Sequence, residues 1–156
     1  MIPYTNLKKL IEYAVTANNP NTVEWLCMIA AHESKSGKYL VQLGGGTARG
    51  ICQVEIRTER DNWENYLRYK KHVTKFIGET SGVVQPSEMC LTYNHIYNIQ
   101  MAWVWLQRQL LVHKLAWPTD PVTMARYAKK LYNTEQGSAT AALYFDAYVE
   151  ISGIIV

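Results

Sequence analysis

The chain is poor in cysteine and phenylalanine, and the few cysteines exclude two classes of protein. Its 156 residues include three cysteines and two phenylalanines. Cys27, Cys52 and Cys90 are odd in number, widely spaced and without a Cys-x-x-Cys pair, so the sequence supports neither a disulfide framework nor a zinc site. Cys27 and Cys52 lie in apolar runs, which predicts small core residues. A protein made in a reducing cytoplasm is expected.

Long apolar segments and strong charge are also missing. No apolar run reaches the roughly 18 residues that a membrane-spanning helix needs, so we expect no membrane span. Residues 1–9 lack a basic segment followed by an apolar stretch, and we expect no signal peptide. The net charge is only +3, and the one dense basic run, residues 68–72, has the spacing of a solvated helix face. Nucleic acid is therefore not an expected partner.

Helical periodicity runs through most of the chain. The spacing of apolar residues and of capping residues predicts helices that start at Thr5, at Asn21 or Thr22, at Thr58, at Ser87, near Tyr97, at Pro121 and near Ala139. Residues 39–43 have the composition of a strand, and the three glycines that follow form a turn. The sequence therefore predicts a single, mainly α domain over residues 1–156, with a small β-hairpin or irregular lobe around residues 38–54.

Glu33 is the candidate catalytic residue. It is predicted to end a helix that is apolar nearly all round and is therefore buried. The negative end of the helix dipole and the apolar neighbours both favour the protonated carboxyl and raise its pKa. A general acid for a glycosidic oxygen needs such a proton at neutral pH. A solvent-facing glutamate is the commoner occupant of a helix end, so the assignment depends on the surrounding pattern.

Four short motifs follow one another in a fixed order between residues 33 and 137. They are Glu33-Ser34, the segment 48–54 with Thr58 after it, Asn98-Ile99, and the segment 128–133 with Gly137 beyond. This order resembles the soluble lytic transglycosylase group of the lysozyme superfamily. Members of that group carry Glu-Ser, a Gly-Leu-Met-Gln-like segment, an Asn-Ile pair and a closing Ala-Tyr-Asn-Ala-Gly.

Three departures from that pattern favour lysozyme-like proteins of bacteriophage particles over bacterial periplasmic enzymes. The interval between Glu33 and Gly50 is long, Glu55-Ile56 replaces an apolar residue and proline, and the segment from Tyr132 to Gly137 is widely spaced. The expected lack of a signal peptide agrees, because a phage carries such an enzyme to the wall in its virion.

The resemblance implies a peptidoglycan lytic enzyme that cleaves the MurNAc–GlcNAc β-1,4 bond without a metal or other cofactor. It implies that a phage virion carries the enzyme to the cell wall during genome ejection, with other virion proteins and a homo-oligomeric assembly as expected partners. Glu33 would be the acid and then the base, ending the reaction with the sugar's 6-hydroxyl or with water. The supporting or substrate-binding residues would be Ser34, Gly50, Ile51, Gln53, Glu55, Tyr132 and Asn133.

The expected roles of these residues differ in detail. Gly50 would let the backbone approach a sugar, and Gln53 would bind a sugar or satisfy loop backbone groups. Tyr132 would place its hydroxyl near Glu33, with Asn133 ordering that corner. Glu55 is the first candidate for a second carboxylate, and a surface charge fits its position equally well.

Two other functions are compatible with the same sequence. One is a structural virion protein with the same fold and weak or no catalysis, and the other is an endolysin released by a holin. His32 has no histidine at ligand spacing and no HExxH motif, which predicts a structural residue. Trp103 and Trp105 project to opposite sides of one helix. At least one is expected in the core, which leaves the other for a partner or a sugar.

Overall fold

The computed structural model describes residues 1–16, 19–133 and 137–154 of the chain. In these ranges the chain forms eight α-helices and one two-stranded antiparallel sheet, which confirms a mainly α fold with a small β lobe. The helices are α1 (Tyr4–Ala14), α2 (Pro20–Ser34), α3 (Ile56–Asn65), α4 (Lys71–Ser81), α5 (Glu88–Tyr93), α6 (His95–His113), α7 (Pro121–Tyr127) and α8 (Ala141–Ser152). A 3-10 turn covers Leu67–Tyr69, and the strands are β1 (Ala48–Arg49) and β2 (Val54–Glu55).

Helix α2 is the centre of the fold. It packs against α1, α6, α7 and α8, as its nearly continuous apolar surface predicts. Trp25 at its middle is fully buried and donates its indole N–H to the Met124 carbonyl oxygen at 2.9 Å. Cys27 and Cys52 are also buried, as predicted, and all three cysteines are free thiols. Glu33 is the penultimate residue of this buried helix and therefore lies where the helix leaves the core.

Three predicted helix starts are wrong by a few residues. Helix α1 begins before Thr5, directly after Pro3. Helix α2 begins at Pro20, whose fixed φ suits a first helical position, and its cap is Asn19 instead of Asn21 or Thr22. Helix α3 begins at Ile56, before Thr58, because strand β2 runs straight into it. The cap predicted at Ser87 is confirmed by the bond from the Cys90 N–H to its hydroxyl.

The β lobe is smaller than predicted and lies later in the chain. Within the predicted strand 39–43, only Val41 forms a bridge, to Arg49. The paired strands place Ala48 opposite Glu55 and Arg49 opposite Val54. Gly44 and Gly45 have positive φ values, in agreement with the predicted turn. A hydrogen bond from the Gln42 N–H to the Ala48 carbonyl oxygen at 3.3 Å joins this sheet to the segment that follows Glu33.

The helix predicted to start at Pro121 and reach Tyr132 changes its geometry on the way. After α7 the chain continues as a π-helix over Ala128–Asn133. Such wider turns are rare and occur often at functional sites. This one carries Tyr132 and Asn133, two of the predicted site residues. No helix in the described ranges is long and apolar enough to cross a membrane.

Candidate active site

Glu33 lies at the C-terminal end of α2 and lines a cavity of about 280 Å³. The pKa of its carboxyl is raised to about 7, chiefly by burial and also by the negative charge of Glu55. A hydrogen bond from the Tyr144 hydroxyl to Oε1 opposes this rise. The carboxyl is therefore protonated in a large fraction of molecules at neutral pH, while one side of it remains open to the cavity.

Tyr144 is a site residue that the sequence did not reveal. It lies on α8, is fully buried, and donates its hydroxyl to Glu33. Burial and the charge of Glu33 hold the pKa of Tyr144 well above its usual value, so the hydroxyl remains a donor. The ring of His32 packs on that of Tyr144 with centroids 4.1 Å apart. His32 thus supports the site by packing, in line with the structural assignment predicted for it.

The motifs recognised in the sequence meet at one loop, residues 50–53. The Ser34 hydroxyl donates to the Ile51 carbonyl oxygen at 2.6 Å. The Cys52 N–H donates to Asn98 Oδ1 at 2.8 Å, and the Tyr132 hydroxyl donates to the Cys52 carbonyl oxygen at 2.5 Å. The end of α2, the start of α6 and the π-helix therefore all fix this loop beside Glu33.

The structure shows the contacts of three of the predicted site residues. A Cβ on Gly50 would overlap the Asn98 side chain and the Leu91 carbonyl oxygen, so the glycine allows the loop to pack closely against both residues. The Tyr132 hydroxyl bonds the Cys52 carbonyl oxygen, and the Glu33 carboxyl accepts its hydrogen bond from Tyr144. Ile51 is fully buried and contributes to the core.

Backbone strain is concentrated around Glu33. Lys35, Ser36 and Gly37 have consecutive positive φ values directly after α2. Gln53, at the end of the neighbouring loop, is another non-glycine residue with positive φ. Such conformations cost on the order of 1 kcal/mol each and cluster at functional sites. The Gly37 N–H donates to Ser34 Oγ at 2.8 Å, which closes the reversed turn against α2.

Gln53, Glu55 and Asn133 line the same cavity as Glu33 and Tyr132. The Gln53 amide nitrogen donates to the Gly50 carbonyl oxygen at 2.9 Å, so part of this side chain satisfies the loop. Glu55 accepts a hydrogen bond from the Thr47 hydroxyl, which fixes its carboxylate. Asn133 accepts from Lys129 Nζ, which also donates to the Gly137 carbonyl oxygen, both at 2.9 Å. Residues 134–136 of that motif lie outside the described ranges.

Two carboxylates that follow Glu55 on α3 have structural positions. Glu59 is buried and accepts the Tyr97 hydroxyl at 2.5 Å and the Ser87 N–H at 3.0 Å. Asp61 pairs with Arg108 at 2.8 Å. Glu55 is thus the carboxylate that shares a cavity with Glu33. The remaining cavity wall, which the sequence analysis missed, is formed by Tyr39, Gln42, Leu43 and Ala48.

Across residues 1–16, 19–133 and 137–154, the structure contains no cluster of histidine, cysteine and carboxylate side chains suited to a metal ion. No known protein family, curated protein or solved structure gives a significant match to this chain. The site therefore has to be interpreted from its own geometry.

Proposed function

We propose that the protein is a peptidoglycan lytic enzyme that cleaves the MurNAc–GlcNAc β-1,4 glycosidic bond with Glu33 as its general acid. The observation that carries this proposal is a carboxyl with a pKa of about 7 that faces a groove and is held by a single tyrosine donor. The ordered resemblance to soluble lytic transglycosylases of the lysozyme superfamily supports the choice of substrate.

The first step uses the neutral form of Glu33. Its proton moves to the oxygen of the leaving sugar as the bond from that oxygen to the anomeric carbon breaks. The anomeric carbon becomes electron-deficient, and the N-acetyl carbonyl of the same sugar can attack it from within the substrate. The carboxylate that remains keeps the hydrogen bond from Tyr144 and lies near the negative charge of Glu55, which favours a positively charged transition state.

The second step uses the carboxylate form of Glu33. It removes a proton from the sugar's 6-hydroxyl or from water as that oxygen bonds the anomeric carbon and the bond from the N-acetyl oxygen to the same carbon breaks. Attack by the 6-hydroxyl closes an anhydro ring, and attack by water gives a reducing end. The proton returns to Glu33, so the enzyme is ready for another cycle. Both outcomes use the same residue and the same groove, so the nature of the product has to be measured.

A structural virion protein without catalysis explains the site less well. A carboxyl whose pKa rises from 4.5 to about 7 on folding destabilises the folded chain at neutral pH by about 3 kcal/mol, at about 1.36 kcal/mol per unit. A protein with no use for the proton would gain stability from an amide in the same place. The retained carboxyl therefore favours catalysis.

Clearing of a peptidoglycan suspension tests the proposal directly. Glu33→Gln should abolish clearing because the amide holds no transferable proton, while the helical circular dichroism signal stays unchanged. Glu64→Gln is the matched control, since Glu64 is exposed on α3 and should leave clearing intact. Clearing by the Glu33→Gln protein at the parental rate would disprove the assignment of Glu33.

Mass analysis of the released fragments separates the two possible products. Anhydro ends would identify a lytic transglycosylase, and reducing ends a hydrolase. We propose further that the protein belongs to phage particles and acts at the cell wall. Its detection in purified virions would support that location, whereas its restriction to the lysate supernatant would favour an endolysin.

A further inference from the structure

A second cavity continues the groove on the far side of Glu55. It has a volume of about 520 Å³ and is lined by Glu55, Arg57, Thr58, Asp61, Trp105, Tyr132 and Asn133. Glu55, Tyr132 and Asn133 also line the cavity at Glu33. A third, small cavity of about 40 Å³ shares Gln53 with the first cavity and Thr58 and Trp105 with the second. The two cavities therefore form neighbouring parts of one groove.

Trp105 is the prominent side chain of this second cavity. It is half-buried, whereas Trp103, two residues earlier on α6, is 4% exposed and belongs to the core. The guanidinium of Arg108 lies 5.5 Å from the Trp105 ring centroid and 5.8 Å from that of Tyr66. Arg108 is in turn fixed by Asp61 at 2.8 Å and by Asn62 Oδ1 at 3.0 Å.

This arrangement holds the Trp105 ring in place before any ligand binds. A ring that is already ordered loses little conformational entropy on binding, which is the condition for a strong anchor. Thr58 and Asn133 line the same cavity as the ring and supply a hydroxyl and an amide. An aromatic face with hydroxyl and amide partners at its edge matches a pyranose, whose C–H face is apolar and whose rim is polar.

We propose that Trp105 forms a saccharide subsite that binds a sugar of the glycan strand next to the bond cleaved at Glu33. The inference rests on the proposed function, which identifies the strand as a peptidoglycan glycan. The residues shared by the two cavities indicate that the strand runs from one cavity to the other. Binding energy gained at Trp105 would hold the strand in register at Glu33, so that long strands are preferred over short ones.

Binding is best measured in the Glu33→Gln protein, where chitohexaose is not consumed. A nitrogen-15 spectrum shows one indole N–H signal for each of the five tryptophans. The signal of Trp105 is identified as the one that disappears in Trp105→Phe. Saturation with chitohexaose should shift that signal and leave the signal of the buried Trp25 in place. An unmoved Trp105 signal at saturation, or no chitohexaose binding at all, would overturn the proposal.

Affinity gives the second readout. Trp105→Ala should weaken chitohexaose binding roughly tenfold, the change expected when a central aromatic anchor is truncated. Trp117→Ala is the control, because Trp117 is also half-buried but packs edge-on against Trp25 and lines neither cavity. Equal affinities of both variants and the parent would contradict the subsite, and so would a dependence on Trp105 that appears only with muropeptides bearing a stem peptide.

The outcomes also separate this inference from the proposed function. A parent protein that clears peptidoglycan while Trp105 does not respond to sugar refutes the subsite alone. A protein that binds chitohexaose through Trp105 but never clears peptidoglycan refutes the enzyme and leaves a glycan-binding groove.

Discussion

Replacing Glu33 by glutamine should stabilise the protein, and the gain should depend on pH. The folded chain raises the pKa of Glu33 from 4.5 to about 7, chiefly through burial. A carboxyl with a higher pKa in the folded than in the unfolded chain binds its proton more tightly when folded. Its contribution to stability is therefore fully present below about pH 4.5 and is lost as the pH rises through about 7.

The size of the effect follows from the shift. The pKa of Glu33 rises by about 2.5 on folding. At about 1.36 kcal/mol for each pH unit, this lowers the free energy of unfolding by about 3 kcal/mol once the pH exceeds 7. At pH 5 the loss is only about 1 kcal/mol, because the unfolded chain is then partly protonated. The glutamine variant keeps the acceptor for the Tyr144 hydroxyl and loses the titration. Between pH 5 and pH 8 its stability relative to the parent should rise by about 2 kcal/mol.

Urea denaturation of both proteins at pH 5, 6, 7 and 8 measures this difference. Titrations shared by parent and variant, such as that of His32, whose pKa burial lowers, cancel when the two curves are subtracted. Glu64→Gln, at an exposed position on α3, is the control for the loss of one carboxylate. A constant difference between parent and Glu33→Gln across this range would show that Glu33 has an ordinary pKa, and the acid assignment would lose its physical basis.

Two further substitutions test the surroundings of Glu33. Tyr144→Phe removes the bond that lowers the pKa of Glu33, so the alkaline limb of the pH profile of clearing should move up by about one unit, with a lower maximal rate; a downward move would contradict this. Gly50→Ala should lower the free energy of unfolding by more than about 2 kcal/mol in urea denaturation, because it combines a left-handed φ with overlap at Leu91 and Asn98. Gly82→Ala has a similar φ and open space around it, and should cost only about 1 kcal/mol; equal losses would refute the packing argument for Gly50.

The position of Glu33 and the importance of the ordered motifs could be predicted from the sequence. Helical periodicity alone places Glu33 at the end of a buried helix. The residues Ser34, Asn98 and Tyr132 all bond the loop 50–53, so each short motif has a partner in another motif. Motifs that are weak separately are informative in combination because one loop needs all of them.

Tyr144 shows what the sequence could not supply. Its hydroxyl meets Glu33 across 111 residues of chain, and an apolar helix with two tyrosines four residues apart does not reveal which acceptors they reach. The sequence does indicate that tyrosines on an apolar helix are buried, and a buried tyrosine hydroxyl needs a hydrogen-bond partner. The strand predicted at residues 39–43 failed for a related reason, since local β-propensity does not provide the neighbouring strand that pairing requires.

Helix α2 carries a second glutamate whose surroundings explain why Glu33 is unusual. Glu24 also accepts tyrosine hydroxyls, from Tyr4 and Tyr148. Burial acts to raise the pKa of Glu24, but the ion pair with Lys8 at 2.8 Å and the tyrosine bonds lower it below its ordinary value. Tyrosine donors are thus common to both sites. The cation beside Glu24 and the deeper burial of Glu33 decide the opposite outcomes, and the negative charge of Glu55 adds to the rise at Glu33.

Substitutions of Glu55 test this electrostatic explanation and separate it from a direct part in the chemistry. Glu55→Gln removes the negative charge that raises the pKa of Glu33, and Glu55→Lys adds a positive charge in the same place, as Lys8 does for Glu24. The alkaline limb of the clearing profile should therefore move to lower pH in both variants, and about twice as far for lysine as for glutamine. Each variant should recover activity as the pH is lowered, because Glu33 is then protonated again. Equal loss of activity in both variants at every pH would instead mean that the Glu55 carboxylate itself acts on the substrate.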